Sequence, residues 1–226
     1  MNRRNAFFAV ASYLALLSAY ALAEEKSKTA IDLFPADDEA NWTVVTEDTE
    51  VAPSDIFEYR DDVLVIKAGP KGYLRTKTDH TNFILKLEWR RPDGREPGRG
   101  GILVRTTGDD QIWPKSLEAQ LNADAAGDFW GLIGYRLAGP AERFKQLEHD
   151  QFGTLRNLAK KEDAEKPIGE WNTYEVIAKG GVVTLKINDR IVNKATDCDI
   201  VAGKICLTAE GDEIHFRNVQ LTPLSE

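Results

Sequence analysis

Hydrophobic and polar residues alternate with a period of two along much of the chain. The clearest run covers residues 81–90, where Phe83, Leu85, Leu87 and Trp89 alternate with polar and charged side chains. Similar short runs follow one another, separated by turns rich in Gly, Pro, Asn and Asp. This pattern predicts half-buried β-strands rather than helices. We therefore predict an all-β fold, built as a two-sheet antiparallel sandwich in a single domain.

The predicted strands cover residues 63–67, 81–90, 101–106, 117–122, 129–137, 171–179, 182–187, 190–194, 204–208 and 213–221. Asn188-Asp189 is a candidate hairpin turn, because both residue types tolerate positive φ. Residues 140–150 are predicted to form the one short helix, with Phe144 and Leu147 on one side. Residues 153–168 are predicted to form a polar, mobile loop.

The last predicted strand contains an irregularity. Ile214 and Phe216 fall on one parity, whereas Val219 falls on the other. A β-bulge near Arg217 would produce this shift, and bulges can redirect side chains beside binding sites. His215 and Arg217 are therefore candidate ligand residues. The alternative for Arg217 is a structural salt bridge.

The N-terminal segment has the pattern of an export signal. Arg3 and Arg4 are followed by an apolar run that ends in Ala21-Leu22-Ala23. This is typical of a signal peptide over residues 1–23, which would leave a domain of residues 24–226 in the periplasm or outside the cell, without membrane insertion. A membrane anchor is the alternative, but the apolar run is short for a bilayer span.

The charge of the chain limits its partners. There are 29 basic and 37 acidic residues, and removal of Arg3 and Arg4 would make the net charge about −10. This balance argues against nucleic acid and against an anionic membrane surface, since both require basic patches. It suits a neutral ligand such as an oligosaccharide.

The cysteines and histidines give a weaker signal. Cys198 and Cys206 could form one disulfide in an oxidising compartment, or could be two buried thiols. His80, His149 and His215 are too scattered to form a recognisable metal motif. We predict no bound metal from these residues.

The stretch from residue 113 to residue 131 concentrates residue types that suit a sugar site. Alternation in the predicted strand divides its side chains into two sets. Those expected to share the polar face are Ser116, Glu118, Gln120 and Asn122, and those expected in the core are Leu117, Ala119 and Leu121. Trp113 and Trp130 flank this strand and could stack on sugar rings, and Arg105 ends the preceding strand. The alternative is an ordinary solvated strand face.

A conventional glycosidase needs two carboxyl groups beside the scissile bond. The candidate strand reads E-x-Q-x-N, so that Glu118 is its one ionisable group. A second carboxylate would have to come from elsewhere, for example Asp128 or Glu210. Hydrolysis by two carboxylates is therefore not favoured by this strand.

Several segments, taken together and in order, resemble the 3-keto-disaccharide hydrolase family. They read NFILKLEWR, GGILVR, SLEAQ, KPIGEWNTY, GKI, AEG and FRNV, beginning at residues 82, 100, 116, 166, 203, 209 and 216. The resemblance implies a concanavalin A-like jelly-roll sandwich. The family usually has Asn-Gly in the hairpin, where this chain has Asn188-Asp189, and often Leu-Gln where it has Leu207-Thr208. The second difference could alter a ligand contact.

The resemblance also implies a substrate with a ketone at carbon 3 of the sugar. The ketone acidifies the hydrogen at carbon 2, so that one base can start an elimination that expels the group at carbon 1. Glu118 would be this base, and Arg105 or Arg217 would stabilise the enolate. The substrate-binding residues would be Gln120, Asn122, Trp113, Trp130, Asp128, His215 and Glu210.

Two alternatives stay open. A divalent cation could replace arginine as the electrophile, with Glu118, Asp128, Glu210 or His215 as ligands. A concanavalin-like sandwich can also bind sugars without cleaving them, because one fold serves many functions. A binding module would need the tryptophans and hydrogen-bonding residues but no activated base.

Overall fold

A computed structural model describes residues 29–34, 41–94 and 98–225. The predicted signal segment and its cleavage point lie outside these residues. Within them, the chain forms one short helix, α1 (Pro53–Ile56), and is otherwise built from strands and turns. The strands are β1 (Ile31–Asp32), β2 (Trp42–Thr46), β3 (Phe57–Arg60), β4 (Val63–Ile66), β5 (Gly72–Thr76), β6 (Phe83–Arg90), β7 (Gly101–Thr107), β8 (Lys115–Gln120), β9 (Phe129–Leu132), β10 (Phe144–His149), β11 (Gly153–Leu158), β12 (Asn172–Lys179), β13 (Val182–Ile187), β14 (Arg190–Ala195), β15 (Lys204–Ala209) and β16 (Ile214–Pro223).

These strands form two antiparallel sheets. The first sheet has the order β14-β13-β12-β6-β16-β4-β3, and β1 pairs with β16. The second sheet has the order β10-β11-β9-β8-β7-β15-β5-β2. Strands adjacent in space are often distant in sequence, as expected for a jelly roll. The predicted all-β, two-sheet sandwich is therefore confirmed.

The main hydrophobic core lies between the two sheets. Phe83, Leu85, Leu87 and Trp89 of β6 are at most 3% exposed, as their alternation predicts. The second sheet contributes its own inward residues, which include Leu117, Ala119, Leu121, Ile102, Val104, Ile205 and Leu207. The Tyr174 hydroxyl of the first sheet donates a 3.0 Å hydrogen bond to the backbone carbonyl of Gln120, so that it ties the two sheets together beside β8.

Two local predictions are confirmed by backbone geometry. Asn188 and Asp189 have φ values of 49° and 63°, and they join β13 to β14 as the predicted hairpin turn. The pairing of β16 with β6 shifts between Arg217 and Gln220, and Asn218 has a φ of 53°. This is the predicted bulge.

Two others are wrong. Residues 140–150 contain β10 rather than a helix, and the predicted loop over residues 153–168 begins with β11. The two strands form a hairpin in which Phe144 pairs with Leu158 and His149 with Gly153. Because β10 is an edge strand that is mostly exposed, it lacks the alternation that marks a half-buried strand. The spacing of Phe144 and Leu147 therefore resembled a helix.

Candidate functional site

The candidate site lies on the outer face of the second sheet, which is the face turned away from the core. Glu118 on β8 stands there between Trp130 on β9 and Leu103 on β7, its direct cross-strand neighbours. Leu117 and Ala119 point into the core, so the predicted division of β8 into two faces is correct. The alternation of one strand thus places a carboxylate between an indole ring and an aliphatic side chain.

Glu118 is 7% exposed, although it faces away from the main core. Within the described part of the chain, its carboxylate receives no hydrogen bond. Instead it lies over Gly101, where an added Cβ would be 2.8 Å from Oε1 of Glu118. Buried carboxylates are normally hydrogen-bonded, and carboxylates with shifted pKa values cluster at functional sites.

Two further carboxylates act on Glu118. Burial is the largest influence, and the charges of Glu210 and Asp128 add to it, so the pKa of Glu118 lies well above its usual value. Both effects disfavour the ionised form. A carboxyl group that is hard to ionise becomes a stronger base once it has lost its proton, which is the property that proton abstraction requires.

Glu210 follows β15 directly and is 8% exposed. Its Oε1 accepts a 2.9 Å hydrogen bond from the Thr208 hydroxyl. Burial raises the pKa of Glu210, while the Thr208 hydrogen bond and the nearby Arg99 and Lys71 charges act in the opposite direction. Glu210 is therefore better supported as an anion than Glu118.

Asp128 is held by the backbone. Its Oδ1 accepts a 2.8 Å hydrogen bond from the Lys160 amide, and its Oδ2 lies 3.5 Å from Nδ2 of Asn157. These contacts fix the end of the loop between β8 and β9. Asp128 thus contributes negative charge near Glu118, with both oxygens already engaged.

Gln120 and Trp130 are joined at the site. The indole N–H of Trp130 donates to Oε1 of Gln120 at 3.3 Å, which leaves the Gln120 amide nitrogen as a donor. Trp113 and Trp130 both pack on a small apolar cluster on the same outer face, formed by Tyr73, Leu103, Leu132, Leu155 and Cys206. Both predicted tryptophans therefore lie on the face that carries Glu118.

Asn122 lies beyond the end of β8. Its Oδ1 accepts a 3.0 Å hydrogen bond from the backbone amide of Gly100. Asn122 therefore holds the start of β7 against the end of β8. The structure gives it a positioning contact beside the site.

Arg105 lies elsewhere, and its expected place beside Glu118 is wrong. Its side chain is fully buried and donates hydrogen bonds to the carbonyls of Thr81, Asp199 and Gly180 at 2.8–2.9 Å. The cause is a bulge in β7, where the pairing with β8 shifts between Val104 and Thr107 and Arg105 has a φ of 52°. The bulge turns Arg105 toward loops of the first sheet.

Arg217 and His215 lie on the outer face of the first sheet, on the far side of the sandwich from Glu118. Arg217 pairs with Glu88 and lies over the Trp171 ring, 4.1 Å from its centroid. His215 accepts a 3.2 Å hydrogen bond at Nδ1 from Nε of Arg90 and contacts Glu213 through Nε2. The structure does not bring either residue to Glu118, and Arg217 has the salt bridge that was the alternative.

Four residues that were not among the predicted site residues contribute to the site. Because Gly101 has no side chain, the Glu118 carboxylate can lie over it. Thr208 donates a hydrogen bond to Glu210, and the positive charges of Arg99 and Lys71 act on Glu210. The departure from the family pattern at Leu207-Thr208 was the one available signal for Thr208. Arg99 lies in a segment rich in Pro and Gly that carries no signal of a site. It directly precedes Gly100 and Gly101.

Both cysteines are free and buried, so the alternative of a disulfide between them is not realised. Among the described residues, no group of three or more His, Cys, Asp or Glu side chains is arranged to hold a metal ion. Within the same residues, no helix has the length and apolar content to cross a bilayer.

The jelly-roll sandwich and its sequence together define a carbohydrate-active class of protein. The match to the 3-keto-alpha-glucoside-1,2-lyase-like domain spans residues 29–222. The chain belongs to this family, and the resemblance noted in the sequence is confirmed. No curated protein sequence matches the chain.

Solved structures of low sequence identity share the fold. A candidate glycosyl hydrolase from Parabacteroides distasonis is 21% identical, with a TM-score of 0.62 over 89% of this chain and 97% of that one. A carbohydrate-binding module from Bacillus subtilis is 14% identical, with a TM-score of 0.58 over 82% and 97%. The laminarinase from Rhodothermus marinus is 13% identical, with a TM-score of 0.58 over 88% and 97%. At these identities, the similarity is one of fold.

Proposed function

We propose that the protein is an exported enzyme that cleaves 3-keto-glycosides, including 3-keto-disaccharides, by an elimination that begins at carbon 2. The observation that carries this proposal is Glu118, a buried carboxylate without a hydrogen-bond partner among the described residues and with a raised pKa. Such a group suits removal of a hydrogen that a neighbouring ketone has acidified. Family membership supports the substrate class.

The elimination leaves negative charge on the oxygen at carbon 3 when Glu118 takes the hydrogen from carbon 2. Arg105 and Arg217 have their partners elsewhere in the fold. Stabilisation of the enolate oxygen would therefore come from Arg99, whose charge acts on Glu210 at the edge of the site. The Arg99 side chain is 62% exposed and forms a surface ion pair with Asp212, 3.6 Å from Nε to Oδ2, which a bound sugar could compete for. Gln120 would bind a ring hydroxyl, and Trp130 would stack on the ring beside Glu118.

A divalent cation as the alternative electrophile has no support in the described residues, where Glu118, Asp128 and Glu210 are not arranged as a group that could hold a metal ion. His215 would not join them, because it lies on the outer face of the other sheet.

The proposal is tested by incubating the purified protein with a 3-keto-disaccharide and with the matching ordinary disaccharide. We expect release of a sugar from the keto form alone and loss of this release in Glu118→Gln with the fold retained. Release from both substrates would indicate a standard glycosidase instead. Full activity of Glu118→Gln on the keto substrate would show that Glu118 is not the base.

A non-catalytic sugar-binding module is the second candidate. It is favoured by the pairing of Trp130 with Gln120, which is an aromatic and amide arrangement suited to binding alone, and by the fold shared with a carbohydrate-binding module. Calorimetry with the same two sugars distinguishes the candidates. Binding without release would support the module.

A further inference from the structure

Glu118 on β8 and Glu210 at the end of β15 lie on either side of β7, which separates the two strands in the sheet. The Glu118 carboxylate lies over Gly101, whose missing side chain leaves its space. On the neighbouring strand, Thr208 accepts a 2.7 Å hydrogen bond from the Gly101 amide and contacts Glu210 at 2.9 Å. Glu118, Gly101, Thr208 and Glu210 therefore form one continuous buried group.

The Thr208 hydroxyl has one proton and two possible acceptors. It lies 3.1 Å from the Gly101 carbonyl and 2.9 Å from Oε1 of Glu210. When Glu210 is ionised, the hydroxyl can donate to it. When Glu210 carries a proton, the hydroxyl can donate to Gly101 instead. Thr208 can therefore accommodate both protonation states of Glu210 without any movement of the backbone.

The charges around the pair favour a single shared proton. The negative charges of Glu210 and Asp128 both act on Glu118. Glu210 faces the acidic Asp212 and the basic Arg99 and Lys71. Two buried carboxylates that interact in this way do not both ionise readily, because each negative charge opposes the other.

We propose that Glu210 is the general acid of the site and that it shares one proton with Glu118. This inference rests on the proposed function. In the reactive form Glu118 is ionised and Glu210 is protonated, so that one carboxyl group removes a proton while the other supplies one. The second carboxyl group missing from the E-x-Q-x-N strand thus comes from the end of β15.

Glu118 takes the proton from carbon 2, and the C–H electron pair forms a C2=C3 bond while the ketone pair moves to its oxygen. The enolate then reforms the ketone, a C1=C2 bond forms, and the C1–O bond breaks. The departing oxygen keeps the bond pair and takes the proton of Glu210.

The elimination leaves the proton on Glu118 and the charge on Glu210. This is the distribution that the surroundings favour, since Thr208, Arg99 and Lys71 support the anion of Glu210. Addition of water reverses the sequence. The oxygen of water adds to carbon 1 and keeps one proton, the other water proton goes to Glu210, and Glu118 returns its proton to carbon 2. The net reaction is hydrolysis.

The acid role is tested by changing the leaving group. We expect Glu210→Gln to lower kcat on a 3-keto-disaccharide by about 100-fold or more, the usual size of a lost general acid. With a 4-nitrophenyl 3-keto-glucoside, whose leaving group needs no proton, the loss should be about threefold or less. Glu88→Gln, on the outer face of the other sheet, is the carboxylate control and should keep both rates. An equal loss on both substrates in Glu210→Gln would overturn the proposal.

Proton sharing is tested without substrate. Carbon-13 NMR of the glutamate carboxyl groups should show that the apparent pKa of Glu118 falls by about one unit or more in Glu210→Gln, because a facing negative charge is removed. An unchanged Glu118 titration would overturn the shared proton. If the wild-type protein cleaved neither keto substrate, the proposed function would fail, while this titration would still decide whether the two carboxyl groups are coupled.

Discussion

The Glu118 carboxylate occupies the space that a side chain at Gly101 would need. A Cβ at Gly101 would lie 2.8 Å from Oε1 and 3.1 Å from Cγ of Glu118, both closer than normal packing allows. Gly101 and Glu118 are diagonal neighbours on the adjacent strands β7 and β8. Gly101 is directly opposite Gln120, and Leu103 is directly opposite Glu118. A glycine on β7 therefore determines where the carboxylate on β8 can lie.

Gly101→Ala should displace the Glu118 carboxylate. Because the clashing atoms belong to a flexible side-chain end rather than to backbone, we expect the fold to persist and kcat on a 3-keto-glycoside to fall by about 10-fold or more. Misplacement of a catalytic group by an ångström has effects of this size. Gly69→Ala, whose Cβ would meet nothing within 4 Å, is the matched control. Retained activity in Gly101→Ala would show that the carboxylate position is not critical.

Glu118→Gln should make the protein more stable at alkaline pH. The raised pKa of Glu118 means that the folded state holds its proton more tightly than the unfolded state does. Stability is therefore lost as pH rises from the unfolded pKa of Glu118 through its folded pKa. Each unit of pKa difference contributes about 1.4 kcal/mol.

The free energies of unfolding of the wild-type protein and of Glu118→Gln are measured by urea denaturation at pH 5 and pH 8. The wild-type protein should lose more of its free energy of unfolding between these values than Glu118→Gln does. Glu47→Gln, at an exposed site, provides the charge-matched control. Parallel pH dependences in wild type and Glu118→Gln would contradict the assigned direction of the pKa shift.

Arg99→Met and Arg217→Met should show which outer face of the sandwich carries the catalytic site. We expect Arg99→Met to lower kcat by about 100-fold, the scale of a lost electrostatic contact to a developing anion. Arg217→Met should leave kcat within about twofold, because Arg217 pairs with Glu88 on the far outer face. Steady-state kinetics on a 3-keto-glycoside measure both. The reverse order of effects would restore the original assignment of Arg217.

Arg105→Met should destabilise the fold rather than impair the chemistry. Its guanidinium satisfies three backbone carbonyls inside the protein, and its loss leaves them without a donor. We expect a loss of about 3 kcal/mol or more in the free energy of unfolding. The activity per folded molecule should be unchanged. Arg190→Met, which breaks an exposed ion pair, should cost about 1 kcal/mol or less.

The sequence predicted the outward position of Glu118 but not that of Arg105, and the difference has a physical cause. On β8, Leu117 and Ala119 continue the apolar alternation on both sides of Glu118. On β7, the bulge falls at the end of the apolar run, and only threonines follow Arg105. No apolar side chain beyond the bulge reveals the change of parity. On β16 such residues do follow, and the bulge was predictable.

The pairing of Glu118 with Glu210 could not be predicted from the sequence. It depends on β7 lying between β8 and β15, which is a matter of strand order in the sheet. Local alternation fixes the face of a residue but not the identity of its neighbouring strands. Glu118 is the one ionisable group of the E-x-Q-x-N pattern, but a second carboxylate reaches the same sheet face from another strand.

The position of Trp171 has a spectroscopic consequence. Two guanidinium groups lie over its ring, those of Arg90 and Arg217, at 4.6 Å and 4.1 Å from the centroid. Trp113 and Trp130 instead lie on the face that carries Glu118. A change in tryptophan fluorescence on addition of a sugar would therefore originate from Trp113 or Trp130, and the intrinsic emission of the unlabelled protein can report occupancy of the site.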